Sequence, residues 1–423
     1  MAVLQGKHIV LGITGSIAAF KAAELASQLA QMGVQLDVIL TPAAEKFITP
    51  LTLQSVTGRR AYTEADLWGG EAHVLHVGLG HSADLLVIAP CTANTIASLA
   101  HGQANNLLTI TALAARCPLL LAPAMDGGML DHPATRANLD TLLRRGAYIA
   151  GPAEGHLASG LLGKGRLLEP SELIGHIRLV LGRKGPLAGR KVVISAGGTQ
   201  EPLDPVRVLT NRSSGKQGYA LAQAAIDAGA DVTLISAPTA LTPPVGARLV
   251  PLQTAREMLD AVFDESSGAD ALIMAAAVAD FRPRQAASDK MKTRDGVPQI
   301  ELEATEDILK AVAALKRSPE IGAPAKQAPA KPSARNADFI PPVVVVGFAA
   351  ESRDLVDNAA EKLKSKNLNL IVANDITAHG AGFGADTNRV TLIHENGDRE
   401  TLPLLSKAEV ADAIITRIAA LLE

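Results

Sequence analysis

One local pattern occurs twice in this chain: an apolar run, a glycine-bearing turn, a stretch of helical spacing and a second apolar run. The first copy runs from 7–13 (KHIVLGI) through the turn at Gly12 and Gly15 into a predicted helix at 16–32, then a strand at 34–40. The second runs from 191–195 through a long loop, 196–218, into a helix at 216–228 and a strand at 231–236. Strand, glycine turn, helix and strand make a mononucleotide-type unit, with Ser16 suited to cap the first helix and its turn suited to a phosphate. Further apolar runs at 83–90, 118–123, 269–279, 343–351 and 368–375 alternate with helical stretches at 96–104, 170–181 and 354–366. Such alternation predicts parallel sheets covered on both faces. The expectation is an α/β chain of two doubly wound Rossmann-like domains, 1–189 and 190–423, joined by the Gly-, Pro- and Arg-rich run 182–190.

Length and charge narrow the class. A chain of 423 residues exceeds one ordinary core, and 48 % hydrophobic residues exclude a disordered one. A net charge of −3 gives no basic excess for nucleic acid or acidic membrane, and no apolar run reaches the length of a membrane span. Two cysteines, Cys91 and Cys117, cannot build a disulfide framework or a four-thiolate metal site. With no basic–apolar leader after Met1, the reading is a soluble, cytoplasmic protein. Residues 317–342 are rich in Ala, Pro and Lys and read as a flexible insertion without a core.

The loop 196–218 (AGGTQEPLDPVRVLTNRSSGKQG) has no apolar periodicity, which argues for a binding role. Gly197 and Gly198 would let backbone approach a ligand, while Asn211, Ser213, Ser214 and Lys216 put donors at a helix start, where an anion is favoured. This run resembles the nucleotide-binding segment of phosphopantothenate–cysteine ligases. The first half resembles the flavin-dependent cysteine decarboxylases: GxxGS at Gly12–Ser16, Thr41 in TPAAEKF, PATANT at 90–95 with Cys91 for Ala, and PxMNxxMW at 123–130 with Asp126 for Asn and Leu130 for Trp. Of His73, His76 and His81, His76 falls where that family has its active-site histidine.

The resemblance implies a flavodoxin-like flavoprotein domain followed by a ligase domain, together serving coenzyme A biosynthesis. It implies FMN on Gly12, Gly15, Ser16, Ile17, Thr41, Thr92, Ala93 and Asn94, with Asn94, Met125 and Asp126 toward the substrate. The family's ACGxxGxGRM clamp appears as ASGLLGKGRL at 158–167, so Ser159 replaces the thiol that protonates an enethiol. A serine hydroxyl is a far weaker acid than a thiol of pKa about 8.5. For the ligase half the resemblance implies CTP and Mg²⁺ at Met274, Ala275, Ala276, Asp280, Lys290, Thr305, Glu306, Asp307, Ile308, Phe348, Lys362 and Lys366. Asp280 is the metal candidate, Asn211 the holder of an acyl-cytidylate, and Lys290 the first lysine of a closing strip in which Thr293 replaces the last. Substrates implied are 4′-phosphopantothenate, L-cysteine and CTP, in a homo-oligomer of flavin-domain trimers and ligase-domain dimers. An active ligase fused to a flavin-binding assembly module fits Ser159 and Asp126 as well. An NAD-dependent oxidoreductase would need a GxGxxG turn and an acidic ribose ligand, and neither is offered cleanly.

Overall fold

The structure, a computed structural model, describes residues 3–68, 74–292, 297–316, 339–351, 355–375 and 384–423. His73, Thr293, the start of the helix expected at 354 and most of the Ala/Pro run (317–338) lie outside the described residues. The chain divides into two compact units, Met1–Gly182 and Arg183–Glu423.

The first unit opens with β1 (His8–Ile13), α1 (Phe20–Gln31), β2 (Gln35–Leu40), α2 (Pro50–Thr57) and β3 (Ala61–Tyr62). Next come α3 (Leu75–Ser82), β4 (Leu85–Cys91), α4 (Ala93–Ala100), α5 (Leu107–Ala114) and β5 (Leu119–Pro123). It closes with α6 (Gly127–Asp131), α7 (Pro133–Arg144), β6 (Tyr148–Ile149), the hairpin β7 (Ala153–His156)–β8 (Leu162–Arg166), and α8 (Pro170–Gly182). Strands β3-β2-β1-β4-β5-β6 form one parallel sheet in that order. Every residue of β4 is buried, as expected of a central strand covered by helices on both faces. The chain leaves β1 toward β2 and later returns on β1's other side, so the topological switch lies at the C-terminal ends of β1 and β4.

The second unit repeats the plan. It starts with β9 (Lys191–Ala196), β10 (Gln200–Pro202), β11 (Val208–Thr210), α9 (Lys216–Asp227), β12 (Asp231–Ser236), β13 (Arg248–Pro251) and α10 (Ala255–Ser266). Then follow β14 (Ala271–Met274), β15 (Phe281–Pro283), β16 (Leu302–Ala304), α11 (Ile308–Lys316), β17 (Val344–Glu351), α12 (Leu355–Ser365) and β18 (Leu370–Asp375). The last elements are β19 (Thr387–Asn388), β20 (Val390–His394), β21 (Arg399–Thr401), β22 (Leu405–Ser406) and α13 (Lys407–Leu422). The sheet order is β13-β12-β9-β14-β17-β18-β20-β21, parallel as far as β18 and antiparallel beyond it. Its switch lies between β9 and β14. A capping box of Ser406 and Glu409 opens α13.

Three expectations need correction. The apolar run 269–279 is a strand only over Ala271–Met274, because polar side chains from the β9 side capture the backbone beyond it. The helix expected at 96–104 starts at Ala93, since Thr92 accepts from Thr95 N and caps it there. The loop 196–218 holds the antiparallel pair β10–β11 and buries polar side chains: Thr199, Glu201 and Asp204 are 0–3 % exposed. Among the described residues no helix is long and apolar enough to cross a membrane.

A charged cluster ties β1 to β2. His8 Nε2 lies 2.7 Å from Asp37 Oδ2, and Arg59 donates to both Asp37 oxygens at 2.9 and 3.0 Å. The hydrogen bond to Asp37 raises the His8 imidazole above its ordinary value near 6.5. Burial works against the Asp37 carboxylate, yet His8 and Arg59 hold it below the ordinary range. A raised folded pKa makes the His8 contribution complete below 6.5 and lost as pH climbs through the folded value. His8→Gln is therefore expected to lower unfolding free energy by about 1–3 kcal/mol more at pH ~5.5 than at pH ~8.5. Denaturant titrations at the two pH values check this, and equal losses would refute it.

Candidate active sites at the two switch points

In the first unit the β1 and β4 ends are stitched by one hydroxyl. Thr14 Oγ1 donates to Pro90 O at 2.7 Å and accepts from Thr92 N at 3.1 Å. The turn after β1 then enters a short 3-10 turn, Ile17–Ala19, before α1, with Ser16 Oγ accepting from Ala18 N at 3.3 Å. Gly15 sits against the next strand's loop, where a Cβ would run into Ala43. Thr41, at the head of that loop, is buried and accepts from Ala44 N. Ser16, Thr41, Thr92, Ala93 and the exposed Asn94 therefore stand on neighbouring strand ends. At Gly12 a Cβ would strike Leu108, so this glycine lets α5 pack closely on β1.

The ASGLLGKGRL run supplies the turn and second strand, β8, of the β7–β8 hairpin, folded back onto the end of β5. Met125 N donates to Gly165 O at 3.0 Å, and Gly165 leaves no room for a Cβ beside Met125 O. In the turn, Ser159 Oγ donates to Asp126 Oδ2 at 2.7 Å, while Asp126 Oδ1 accepts from Gly128 N at 2.9 Å and caps α6. The Ser159 bond, then the Gly128 N–H, hold the Asp126 carboxyl below the usual range, so it is ionised at neutral pH. Buried Lys21 fixes the hairpin's exit by reaching Leu167 O and Glu169. His76 lies half-buried in the first turn of α3. Cys91 is buried, which pushes its thiol far up and leaves it inert.

The donor set suits a flavin phosphate and ring. Hydroxyls of Ser16 and Thr41 stand at helix starts, and Ile17 (58 % exposed) and Phe20 (64 %) offer apolar surface beside them.

In the second unit the switch opens into a cleft of about 530 Å³. Its floor is stitched from the β9 side: Ser195 Oγ accepts from Ala276 N (3.1 Å), Thr199 Oγ1 from Ala279 N (2.9 Å), and Asn211 Nδ2 donates to Ala277 O and Val278 O (3.3 and 3.1 Å). Gly215, at φ +76°, turns the chain into α9 and sets Ser213, Ser214 and Lys216 on the rim. Met274, Ala275, Ala276 and Asp280 line the floor, and Thr305, Glu306, Asp307, Ile308, Phe348, Lys362 and Lys366 the opposite wall. Thr305 N donates to Asp280 O at 3.0 Å. Lys362 Nζ donates to Phe348 O at 3.0 Å, and Lys366 Nζ pairs with Asp307 at 2.8 Å. Burial opposes the Asp307 charge, but Lys366 and the Lys310 N–H hold its carboxyl low.

Three residues read from the sequence stand elsewhere. Gly197 and Gly198 do not line the cleft; each lacks a Cβ because Ala237 O and Asn211 O come too close. Lys290 is exposed on a segment held to the 203–207 turn, where Asp204 accepts from Met291 N and Arg207 donates to Met291 O. The cleft adds four polar residues not anticipated: Gln217, Asn374, Asn388 and Lys407. Among the described residues no three His, Cys, Asp or Glu side chains gather into a metal site. Asp280, like Glu306 and Asp307, lines the cleft with a carboxylate, and Mg²⁺ is commonly held by one or two carboxylates plus substrate phosphates.

Comparison with known proteins decides the family. The Flavoprotein profile matches residues 2–181, and that of the DNA/pantothenate metabolism flavoprotein C-terminal domain matches 187–340 and 333–422. The coenzyme A biosynthesis bifunctional protein CoaBC of Bacillus subtilis (strain 168) is 42 % identical over 99 % of this chain and 98 % of its own. The chain belongs to this family of bifunctional proteins. The CoaBC protein of Vibrio cholerae serotype O1 is 44 % identical over 97 % of this chain and 98 % of its own. A solved C-terminal domain of a CoaBC protein is 38 % identical and covers 56 % of this chain and 98 % of that one, with a TM-score of 0.44. The first unit is thus a flavoprotein domain.

Gly15→Val should cost the flavin without costing the sheet, because the new side chain forces apart the turn and the Ala43 loop. Flavin absorbance per purified chain is expected to fall at least about tenfold at unchanged far-ultraviolet circular dichroism. Retained flavin would remove this turn from the site.

Proposed function

We propose that the chain carries out two consecutive steps of coenzyme A biosynthesis, ligation in the second unit and decarboxylation in the first. The ligase reading is carried by one observation: side chains from five separated segments, Asn211–Lys216, Met274–Asp280, Thr305–Ile308, Phe348 and the Lys362–Lys366 stretch, converge on a single cleft at a topological switch. The carboxylate of 4′-phosphopantothenate attacks the α-phosphorus of CTP, expelling pyrophosphate. The amine of cysteine then attacks the acyl carbon, the bond to the phosphate breaks, and CMP departs.

The residues divide the work by chemistry. Ser213, Ser214 and the first N–H groups of α9 meet polyphosphate. Lys216 on the rim, paired with Asp386, and Lys366 in the wall, paired with Asp307, are cations already in place. Asp280 would hold Mg²⁺ against the phosphates, and Phe348 offers a ring face to the base. Asn211, whose amide is anchored to the floor, is placed for the acyl intermediate. Lys290 would enter from its exposed segment on the 203–207 turn. Preorganised donors facing developing charge supply the largest part of such catalysis.

In the first unit, FMN when bound would supply a two-electron oxidation of the substrate thiol and the later return of those electrons. The chain's part is to hold the phosphopantothenoyl-cysteine at Asn94, Met125 and His76 and to manage protons. Ser159 is the group nearest Asp126, and its proton already points into a carboxylate. Proton delivery to the decarboxylated enethiol is therefore the slow step.

The test is mass-resolved product analysis of the full chain with phosphopantothenate, cysteine, CTP and Mg²⁺. CMP and phosphopantothenoylcysteine should form at once and 4′-phosphopantetheine slowly. Ser159→Cys should speed the last product by about tenfold or more, within the range of a positioned general acid, at unchanged CMP release. Absence of CMP would refute the ligase reading, and a Ser159→Cys rate no faster than the matched serine chain in both the Asp126 and the Asp126→Asn backgrounds would refute the proton assignment.

A further inference from the structure

One end of the C-terminal cleft holds more hydrogen-bonding capacity than the chain uses. Asn388 is 2 % exposed, and its amide oxygen has no donor. The amide oxygens of Asn374 and Gln217, in the same cleft, are also unpaired. Gln217 Nε2 donates to Lys407 O at 3.2 Å, which orients that amide and leaves its buried oxygen without a donor. Buried polar groups are normally satisfied, so three open acceptors in one cleft imply a ligand that brings N–H donors. Asn388 joins the group through its strand: it pairs with Leu405, two residues before Lys407, and lies two before Val390, which pairs with Asn374.

Two cations complete this end. Lys407 is 8 % exposed, and burial together with neighbouring Lys216 holds its ammonium below the ordinary range. Lys216 is paired with Asp386, whose side chain is 87 % exposed, so another carboxylate can replace it at little loss. Open amide oxygens repel phosphate oxygens, which argues against polyphosphate as the occupant. Acceptors beside cations match an amino acid: amine N–H groups to the amides, carboxylate to the lysines.

We propose that Gln217, Asn374, Asn388 and Lys407 form the subsite for the α-amino-acid co-substrate, cysteine, holding it by its amine and carboxylate. The proposal rests on the ligase reading above. It also serves the chemistry, because the nucleophile is the neutral amine. Neighbouring positive charge favours loss of the ammonium proton to solvent. Amide oxygens then hold the two remaining N–H groups and leave the lone pair free for the acyl carbon.

Steady-state ligation by the full chain is measured with Asn388→Leu and Asn388→Asp, alongside pyrophosphate release without cysteine. Asn388→Leu should raise KM for cysteine about tenfold and leave KM for CTP and pyrophosphate release within about twofold. Asn388→Asp, whose carboxylate still accepts from an amine, should keep KM for cysteine within about threefold. If Asn388→Leu fails to fold, by thermal melting, Asn374→Leu carries the same expectation. A raised KM for CTP or slower pyrophosphate release in Asn388→Asp would overturn the proposal and give the site to the phosphates. Unchanged KM for cysteine in Asn388→Leu would overturn it as well. A parent chain that releases no pyrophosphate would overturn the ligase reading beneath it, an outcome distinct from both.

Discussion

Both units depend on the same physical problem and solve it the same way. Where two parallel neighbours diverge beyond a switch point, the backbone N–H and C=O groups that had paired across the ladder lose their partners, yet they lie too deep to be left open. Thr14 bridges Pro90 O and Thr92 N in the first unit. Ser195, Thr199 and Asn211 together take Ala276 N, Ala279 N, Ala277 O and Val278 O in the second. These side chains shape the crevice before any ligand enters. They also end the strands, so that Asn94, in the first turn of α4, and Asp280 lie just beyond a strand end instead of continuing it.

The cleft of the second unit stores its positive charge in pairs of unequal strength. Lys366 is 15 % exposed and Asp307 34 %, a pair sheltered enough to keep its geometry. The Lys216–Asp386 pair ends in a carboxylate almost fully in water, and such pairs contribute little to stability. One lysine is thus locked into the wall and the other held ready to change partners. An anion arriving at the start of α9 meets a cation already in position, with little side-chain entropy left to lose.

Much of this was legible in the chain because parallel strands covered on both faces must be apolar throughout and separated by helices. The strands at β1, β4, β9, β12 and β17 fall within a residue or two of their predicted ends. The run 269–279 misleads for a physical reason: an alanine-rich loop and a buried strand have the same composition, and what ends β14 at Met274 is a set of side chains on another segment. Gly12, Gly197 and Gly198 carry a second ambiguity, since close packing alone calls for a glycine at each and a glycine needed for a ligand looks the same in the sequence. Asn374, Asn388 and Lys407 had no signal at all. Each belongs to an ordinary strand or helix start, and only the antiparallel return of β20 on β18 and the β19–β22 pair bring them to the cleft.

The first unit's two departures from its family motifs also make sense only together. Taken singly, Ser159 replaces a thiol acid with a weaker one, and Asp126 sets a negative charge where a substrate carboxylate is expected. In the structure the serine donates to that carboxylate, and this bond and the Gly128 N–H hold it ionised. The hydroxyl's proton is then stabilised where it is, so under the proton role proposed for position 159 each residue deepens the other's effect. The same bond holds the turn of the β7–β8 hairpin to the N-terminus of α6, next to the Met125–Gly165 contact. A thiol at position 159 would hold Asp126 more weakly, since S–H is a poor donor. Restoring the acid alone therefore changes two things at once, the proton source and the tether of the hairpin, and its effect on rate is read correctly only beside the same change made in an Asp126→Asn background.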